Sequence, residues 1–357
     1  MKGAVLVIVP CRDEARTLAR KLANFARLQW PDADRSHVIV VVDDHSTDDT
    51  RRVAEVVGAE LFPRRARPDS STLVDLRVVA NDGAPGKPNA IRRGLAERSN
   101  EHALVLLTDA DVIAEEGALQ ALVDAFERDP ELALACGAQS FVADLAEDGT
   151  ARSRALGPLV DARTAYDRWT ARVRRFESKR GVLFSVHGQW LAWRAELGLA
   201  PDPALAADDL DLAFQVRARE HGPRALRLVE RAVFHEVRPP KGAASRAQAV
   251  RRARAWFQAL AARPVVARSA LESAQVAFYR HAPAMAPRLT FLVPLATIVA
   301  AGWFGGRAWA IVAGLVWLAL ATSGPGWRWI GLVRLIAEAR DAERDGSIAA
   351  SWETPRA

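Results

Sequence analysis

The stretch HVIVVVDDHSTDDT, residues 37–50, decides the fold. From His37 to Val42 it is an unbroken apolar, β-branched run, the pattern of a strand buried on both faces, and it stops at Asp43-Asp44. Ser46, Thr47, Asp48 and Asp49 then supply acceptors for the free amides of a helix that runs to Val57. A strand that ends in acids and feeds a helix is the repeating unit of a parallel sheet. In such a sheet, ligands bind beyond the carboxyl ends of the strands.

The same unit recurs on both sides. Gly3 to Val9 is an apolar run followed by Pro10, Asp13 and Glu14 and a helical pattern to Leu28. Asp75 to Ala80 predicts a third strand and Asn89 to Glu97 a helix, and Ala103 to Leu107 predicts a fourth strand running into Thr108-Asp109-Ala110-Asp111. Further on, Ala118 to Phe126 reads as helix, Leu132 to Phe141 as strand, and Arg152 to Arg180 as charged and helical in period. A strand near Trp190, a helix from Leu210 to Arg219 and a short strand from Ala232 to Val237 follow. The expectation is an α/β domain with a mostly parallel central sheet flanked by helices. The Arg-, Pro- and Ser-rich segment Phe62 to Leu73 reads as loop.

The chain has 357 residues and a formal charge of +6, and the charge is unevenly placed. Residues 1–240 carry 34 basic and 37 acidic side chains, residues 241–288 carry 9 and 1, and the remainder 6 and 5. One basic segment beside an apolar one is the signature of a membrane-flanking belt, whereas a nucleic-acid footprint would spread over the fold. Nucleic acid is therefore excluded as a partner. Cys11 and Cys136 are too few for a disulfide framework or an all-cysteine metal site, which suits a soluble part in the cytosol. The apolar run in MKGAVLVIV is short and lacks a small-residue cleavage site, so it reads as a strand and not as a signal peptide.

Leu289 to Thr322 is 34 residues long with Arg307 as its single charge. That is too long for one span and short for two. A tight hairpin turning at Gly305-Gly306-Arg307 is the first expectation, because the flanking arginines then share the cytoplasmic side; a re-entrant loop serves the same flanks. A buried helical hairpin of a soluble domain is the alternative, against which stand Trp303, Trp309, Trp317, Trp327 and Trp329 near the ends of the apolar runs. Four segments are expected: 1–240, with a nucleotide half to about 112 and an acceptor half from about 113; 241–288, basic interface helices; 289–322, the membrane hairpin; and 323–357, an amphipathic tail.

Three acidic strand ends on one rim repel one another unless a cation or a ligand's donors lie between them. In an extended segment the side chains of Asp109 and Asp111 point the same way, so both can share one Mg²⁺ or Mn²⁺. Carboxylates without His or Cys nearby suit that hard ion and a phosphate partner. Each acid taken alone is equally well a helix cap.

These residues carry a resemblance. VIVPCRDE, VVVDDHSTDDT, Gly86-Lys87-Pro88-x-Ala90, the Asp-x-Asp and AADDLDLAFQVRAREHG, in this order over about the first 255 residues, resemble family 2 glycosyltransferases of the GT-A fold. The similarity is to the membrane-attached branch that includes ceramide glucosyltransferases and polysaccharide synthases. It implies a nucleotide diphosphate sugar donor bound by Pro10, Asp13, Glu14, Asp43, Asp44, Lys87 and Asp109. By the same resemblance Asp109 and Asp111 hold the metal, with Asp111 the more direct ligand, and Gly188 and Gln189 lie on the acceptor side. Asp208-Asp209 matches the family's Glu-Asp, whose second acid is the general base, so Asp209 takes that role and Asp208 orients or caps. His235 adds a partner to the diphosphate or metal. Gln248 and Arg251 match the family's Gln-x-x-Arg-Trp, with Arg252 in the tryptophan position and Trp256 one turn later.

The resemblance implies inverting, metal-dependent transfer. The missing tryptophan and the small apolar part point to a single, non-processive transfer to a lipid or lipid-linked hydroxyl at the cytoplasmic face of the membrane. A processive polysaccharide synthase is the alternative, and an inactive nucleotide-sugar-binding membrane regulator is a second.

Overall fold

The computed structural model describes residues 3–32, 36–63, 73–219, 224–240 and 242–344. Most of the Phe62 to Leu73 loop and the end of the expected tail lie outside them. The chain forms two compact units that meet in sequence at Pro240 and Lys241.

The first unit opens with β1 (Ala4–Cys11), α1 (Ala15–Phe25), β2 (His37–Asp43), α2 (Thr50–Leu61), β3 (Val74–Ala80), α3 (Lys87–Leu95) and β4 (His102–Thr108). It continues through β5 (Val112–Ala114), α4 (Ala118–Arg128), β6 (Leu134–Val142), α5 (Ala165–Lys179), β7 (Trp190–Arg194), α6 (Asp208–Ala218) and β8 (Leu226–Val237). The eight strands make one sheet in the order β3-β2-β1-β4-β7-β6-β8-β5. Strands β3, β2, β1 and β4 are parallel neighbours, so the ends of β1, β2 and β4 share one edge. The other half is mixed: β7 runs antiparallel to β4 and β6, β8 is parallel to β6, and β5 is antiparallel to β8.

Every residue of β1 is buried because helices cover both faces of the sheet. Val5, Val7 and Val9 pack with Leu18, Leu22 and Phe25 of α1 and Leu122 and Phe126 of α4. Leu6 and Ile8, on the other face, pack with Ile91 of α3 and Leu212 and Val216 of α6. Fully burying each such side chain contributes about 1.5–3 kcal/mol, which fixes which residues face which layer.

Three expectations change in detail. The strand expected from Ala232 begins at Leu226. The helix expected over Arg152 to Arg180 is confined to Ala165–Lys179, and a capping box between Thr164 and Asp167 starts it late. Strand β5 is too short to register as a periodicity, yet it turns the Asp109-Ala110-Asp111 segment into a connection between two strands.

The second unit contains α7 (Ala243–Ala262), α8 (Ala270–Gly305), α9 (Arg307–Thr322) and α10 (Gly324–Arg344). The helix breaks at Gly306, inside the expected Gly305-Gly306-Arg307 turn. Trp317 Nε1 donates to Thr297 Oγ1 at 2.7 Å and Trp329 Nε1 to Thr290 Oγ1 at 2.9 Å, tying α9 and α10 to α8. Their apolar residues face outward: Phe291, Trp303 and Phe304 are 73%, 83% and 88% exposed. Helix α8 is long and apolar enough to cross a membrane, and α9 with α10, bent by 77°, makes a second such element if the pair is one broken span. This exposure is the opposite of a buried soluble hairpin.

Candidate active site

The ends of β1 and β2 are stitched together by their own polar residues. Asp13, in the left-handed region at φ 54°, accepts from Thr47 N at 2.7 Å and Thr47 Oγ1 at 3.0 Å. The Thr47 amide, burial opposing it, holds the Asp13 carboxyl below the usual range. Glu14 is buried, its N–H donating to Thr50 Oγ1 at 2.7 Å and its Oε2 accepting from Thr17 Oγ1 at 2.7 Å. Pro10 is buried within β1, and Asp43, the half-buried last residue of β2, accepts from Ser46 N at 3.3 Å.

Asp44 is fully buried and serves the loop that carries Lys87. It accepts from Asn81 Nδ2 at 2.5 Å and from Gly86 N at 2.8 Å. Gly86 has φ 141°, a conformation that glycine adopts without strain. That conformation aims its amide at Asp44 and starts α3 at Lys87.

Lys87 Nζ then lies 2.7 Å from Asp109 Oδ1 and 3.6 Å from Asp208 Oδ2. Burial pushes the Lys87 pKa down, but Asp109 and Asp208 outweigh it and the net shift is upward. Burial also raises Asp208, to about 6, with Lys87 opposing and Asp209 and Asp109 reinforcing. Asp209 is raised by burial, again opposed by Lys87. Asp208 and Asp209 are the first two residues of α6, and Ala207, at the cap position, makes no side-chain bond to the helix. Asp208 approaches Lys87 from this first turn. Asp209 Oδ1 accepts from Leu210 N at 2.7 Å. A Cβ on Gly188 would stand 3.0 Å from Asp209 Cβ and 3.4 Å from its carboxylate, a contact that would fit only if a neighbour shifted.

Gln189 Nε2 and Gln139 Nε2 both donate to Glu236 Oε2, at 3.1 and 2.6 Å. His235 is buried, its Nε2 3.3 Å from Glu115 Oε1, and burial pushes its pKa down. Gln248, Arg251 and Arg252 lie on α7 of the second unit.

Sequence reasoning missed two residues of α1. Lys21 is fully buried; its Nζ donates to Thr108 Oγ1 at 2.8 Å and to the Val112 carbonyl at 3.0 Å, the two residues that bracket Asp109-Ala110-Asp111. Asn24 donates to the Ala114 and Gly149 carbonyls and accepts from Ala114 N. The available signal was positional: Lys21 and Asn24 fall on the helix face of Leu18, Leu22 and Phe25, where polar residues are out of place unless bonded.

The donor set fits a hard divalent ion shared with a diphosphate. Asp109 and Asp111 bring two carboxylates to one turn, and no group of three or more His, Cys, Asp or Glu side chains able to hold a metal occurs among the described residues. One or two carboxylates, completed by phosphate oxygens and water, is how Mg²⁺ is ordinarily held.

A parallel half-sheet, a mixed half-sheet and an Asp-x-Asp turn between β4 and β5 define the GT-A class of fold. Residues 3–259 match the family described as glycosyltransferase like family 2, and the chain belongs to it. Among solved structures, mannosyltransferase PcManGT from Pyrobaculum calidifontis, in complex with GDP-Man and Mn²⁺, superposes with a TM-score of 0.67 at 22% identity, over 97% of this chain and 88% of that one. Among curated proteins, poly-beta-1,6-N-acetyl-D-glucosamine synthase of Staphylococcus epidermidis is 25% identical over 130 residues, 36% of this chain and 27% of that protein. The synthase of the same name from Staphylococcus aureus (strain COL) is 26% identical over 133 residues, 37% and 28% of the two chains. The match thus spans little more than a quarter of these relatives.

Proposed function

We propose that this protein transfers a sugar, with inversion, from a nucleotide diphosphate sugar to an acceptor hydroxyl, and does so with Mg²⁺ or Mn²⁺. The observation that carries the reading is the line Asp109–Lys87–Asp208, which brings the donor-half and acceptor-half acids to one cation at 2.7 and 3.6 Å. Asp109 and Asp111 are the residues to hold the metal, which when bound offsets the negative charge of the departing nucleotide diphosphate. Pro10, Asp13, Glu14 and Asp43 form the nucleotide end of the cleft, with Asp44 fixing the Lys87 loop. Lys87, kept cationic, neutralises the diphosphate.

Asp209 takes the proton from the acceptor hydroxyl as the oxygen attacks the anomeric carbon opposite the leaving group. Gly188 leaves room beside that carboxylate, and Asp208 tunes it through Lys87. Gln189, held by Glu236, presents an amide to the acceptor, while His235 stands behind the turn. The outward-facing apolar helices of the second unit support a reading in the membrane-attached branch of the family, in the cytoplasmic membrane with the catalytic unit in the cytoplasm.

The curated relatives are polymer synthases, so a growing polysaccharide is the better supported acceptor. A single transfer to a lipid or lipid-linked hydroxyl, the first expectation from sequence, rests on Arg252 standing at the tryptophan position and on the apolar α8 and α9. Incubating the full chain, in membranes, with a panel of labelled nucleotide sugars and separating lipid products from polymer by size decides between them. Failure of every donor to transfer label, with Mn²⁺ and Mg²⁺ present, overturns the enzymatic reading.

A further inference from the structure

Helix α1 lies behind the turn that carries Asp109 and Asp111, and its fully buried Lys21 reaches both ends of that turn. Lys21 Nζ donates to Thr108 Oγ1, on the last residue of β4, at 2.8 Å, and to the carbonyl of Val112, the first residue of β5, at 3.0 Å. The remaining sides of the ammonium are closed by aromatic faces, with the Phe25 ring centroid at 4.9 Å and that of Trp190 at 5.1 Å. Trp190 is the residue of β7 paired with Thr108, so the cage is built from the strand that flanks the turn. One turn further along α1, Asn24 bonds both the N–H and the carbonyl of Ala114. A helix face thus grips β5 from its first residue to its last.

We infer that Lys21 is a positioning residue for the Asp109-Ala110-Asp111 turn: by clamping Thr108 to Val112 from beneath, it sets the separation and direction of the two carboxylates before any ligand arrives. The ammonium is suited to this because it offers three donors from one point, and both acceptors are buried. Burial pushes its pKa down to about 7, so an ionised Lys21 is a cost to the fold that an apolar residue of the same length would not carry. A side chain that only filled the gap between Phe25 and Trp190 would not need the charge.

The inference concerns the turn in the free protein, and its ligand arm rests on the metal reading proposed above. The test is hydrogen exchange on the full-length protein in detergent, without metal or nucleotide, comparing wild type, Lys21→Met, Thr108→Val and the core control Leu22→Ala. Lys21→Met should speed exchange of the β5 amides, Val112–Ala114, by about tenfold or more while β1 stays protected, because a charge-assisted bond to Val112 is lost. Leu22→Ala should loosen α1 and β1 without singling out β5. Should Lys21→Met fail to fold, Thr108→Val decides alone, with a smaller acceleration at β5 expected. Exchange at β5 within about twofold of wild type in the folded variant, or loosening of β1 and β5 together as in Leu22→Ala, overturns the inference. Titration with Mn²⁺ alone supplies the second arm: Lys21→Met should weaken Mn²⁺ about tenfold, because the turn that carries the two carboxylates is then less firmly set. If wild type binds no Mn²⁺ while the exchange effect is present, the metal reading fails and the positioning role stands.

Discussion

Lys87 and Asp208 stand 3.6 Å apart, one at the start of α3, which lies between two strands of the parallel half of the sheet, and the other at the start of α6, between two strands of the mixed half. With Asp109 on the other side of the same ammonium, at 2.7 Å, the free protein holds its two sets of acids together through a single cation. Removing that cation should affect both halves. Lys87→Met is expected to raise the donor KM by about tenfold or more, because a diphosphate then meets Asp109 and Asp208 without compensation. Initial rates against donor concentration check this.

Asp208 should lower stability at neutral pH. Its folded pKa is raised to about 6, burial being the chief cause, against about 3.9 for an unfolded aspartate. A raised pKa means that the folded state holds its proton more tightly. The contribution is therefore full below pH ~4 and is lost as pH rises through ~6. Asp208→Asn, which carries no charge, should melt about 2 °C or more above wild type at pH 7.5 and level with it near pH 4. Scanning calorimetry at the two pH values is the measurement, and an equal shift at both would refute the assignment.

Asp209→Asn keeps the size of the side chain and an oxygen for the Leu210 amide but removes the proton acceptor. Transfer should fall by ~10² or more with donor affinity almost unchanged. Near-normal turnover at saturating donor and metal would place the base elsewhere.

Gly188→Ala puts a methyl group 3.0 Å from Asp209 Cβ. Either the Asp209 side chain or the turn that holds Gly188 must give way by a few tenths of an ångström, and kcat should drop about tenfold with donor KM unmoved. An equal loss in both parameters would point to a general distortion of the cleft.

Asp111→Ala should abolish turnover and make donor binding insensitive to Mn²⁺, with the fold intact. Calorimetric titration of donor with and without Mn²⁺ reads this directly, and undiminished metal-dependent binding by the variant would rule Asp111 out as a ligand.

Attachment is tested by washing membranes. Salt screens the basic residues of 241–288 but leaves hydrocarbon burial untouched, so full-length protein should stay in the pellet after both high salt and carbonate. Release by carbonate would mean that the outward-facing Phe291, Trp303 and Phe304 are covered by something other than lipid.

The sequence by itself determined the parallel half of the sheet, because a run such as Val38 to Val42 buries both faces and has no other stable placement, and its acids fall where the run must stop. It also marked the place of the helical break at Gly306, since two adjacent glycines are weak helix formers within the apolar run. Which acid does what was decided by tertiary structure. Asp43 and Asp44 are adjacent and alike in sequence, yet Asp43 reaches the rim while Asp44 is sealed in to fix Gly86, a distinction made by Asn81, 37 positions away from Asp44. Lys21 belongs to the same category: periodicity could mark it as a charge on a buried face, but only the meeting of α1 with the β4–β5 turn supplies the two oxygens that let an ammonium remain there. Local patterns set which residues are buried; long-range packing supplies the partners that give a buried polar group its role.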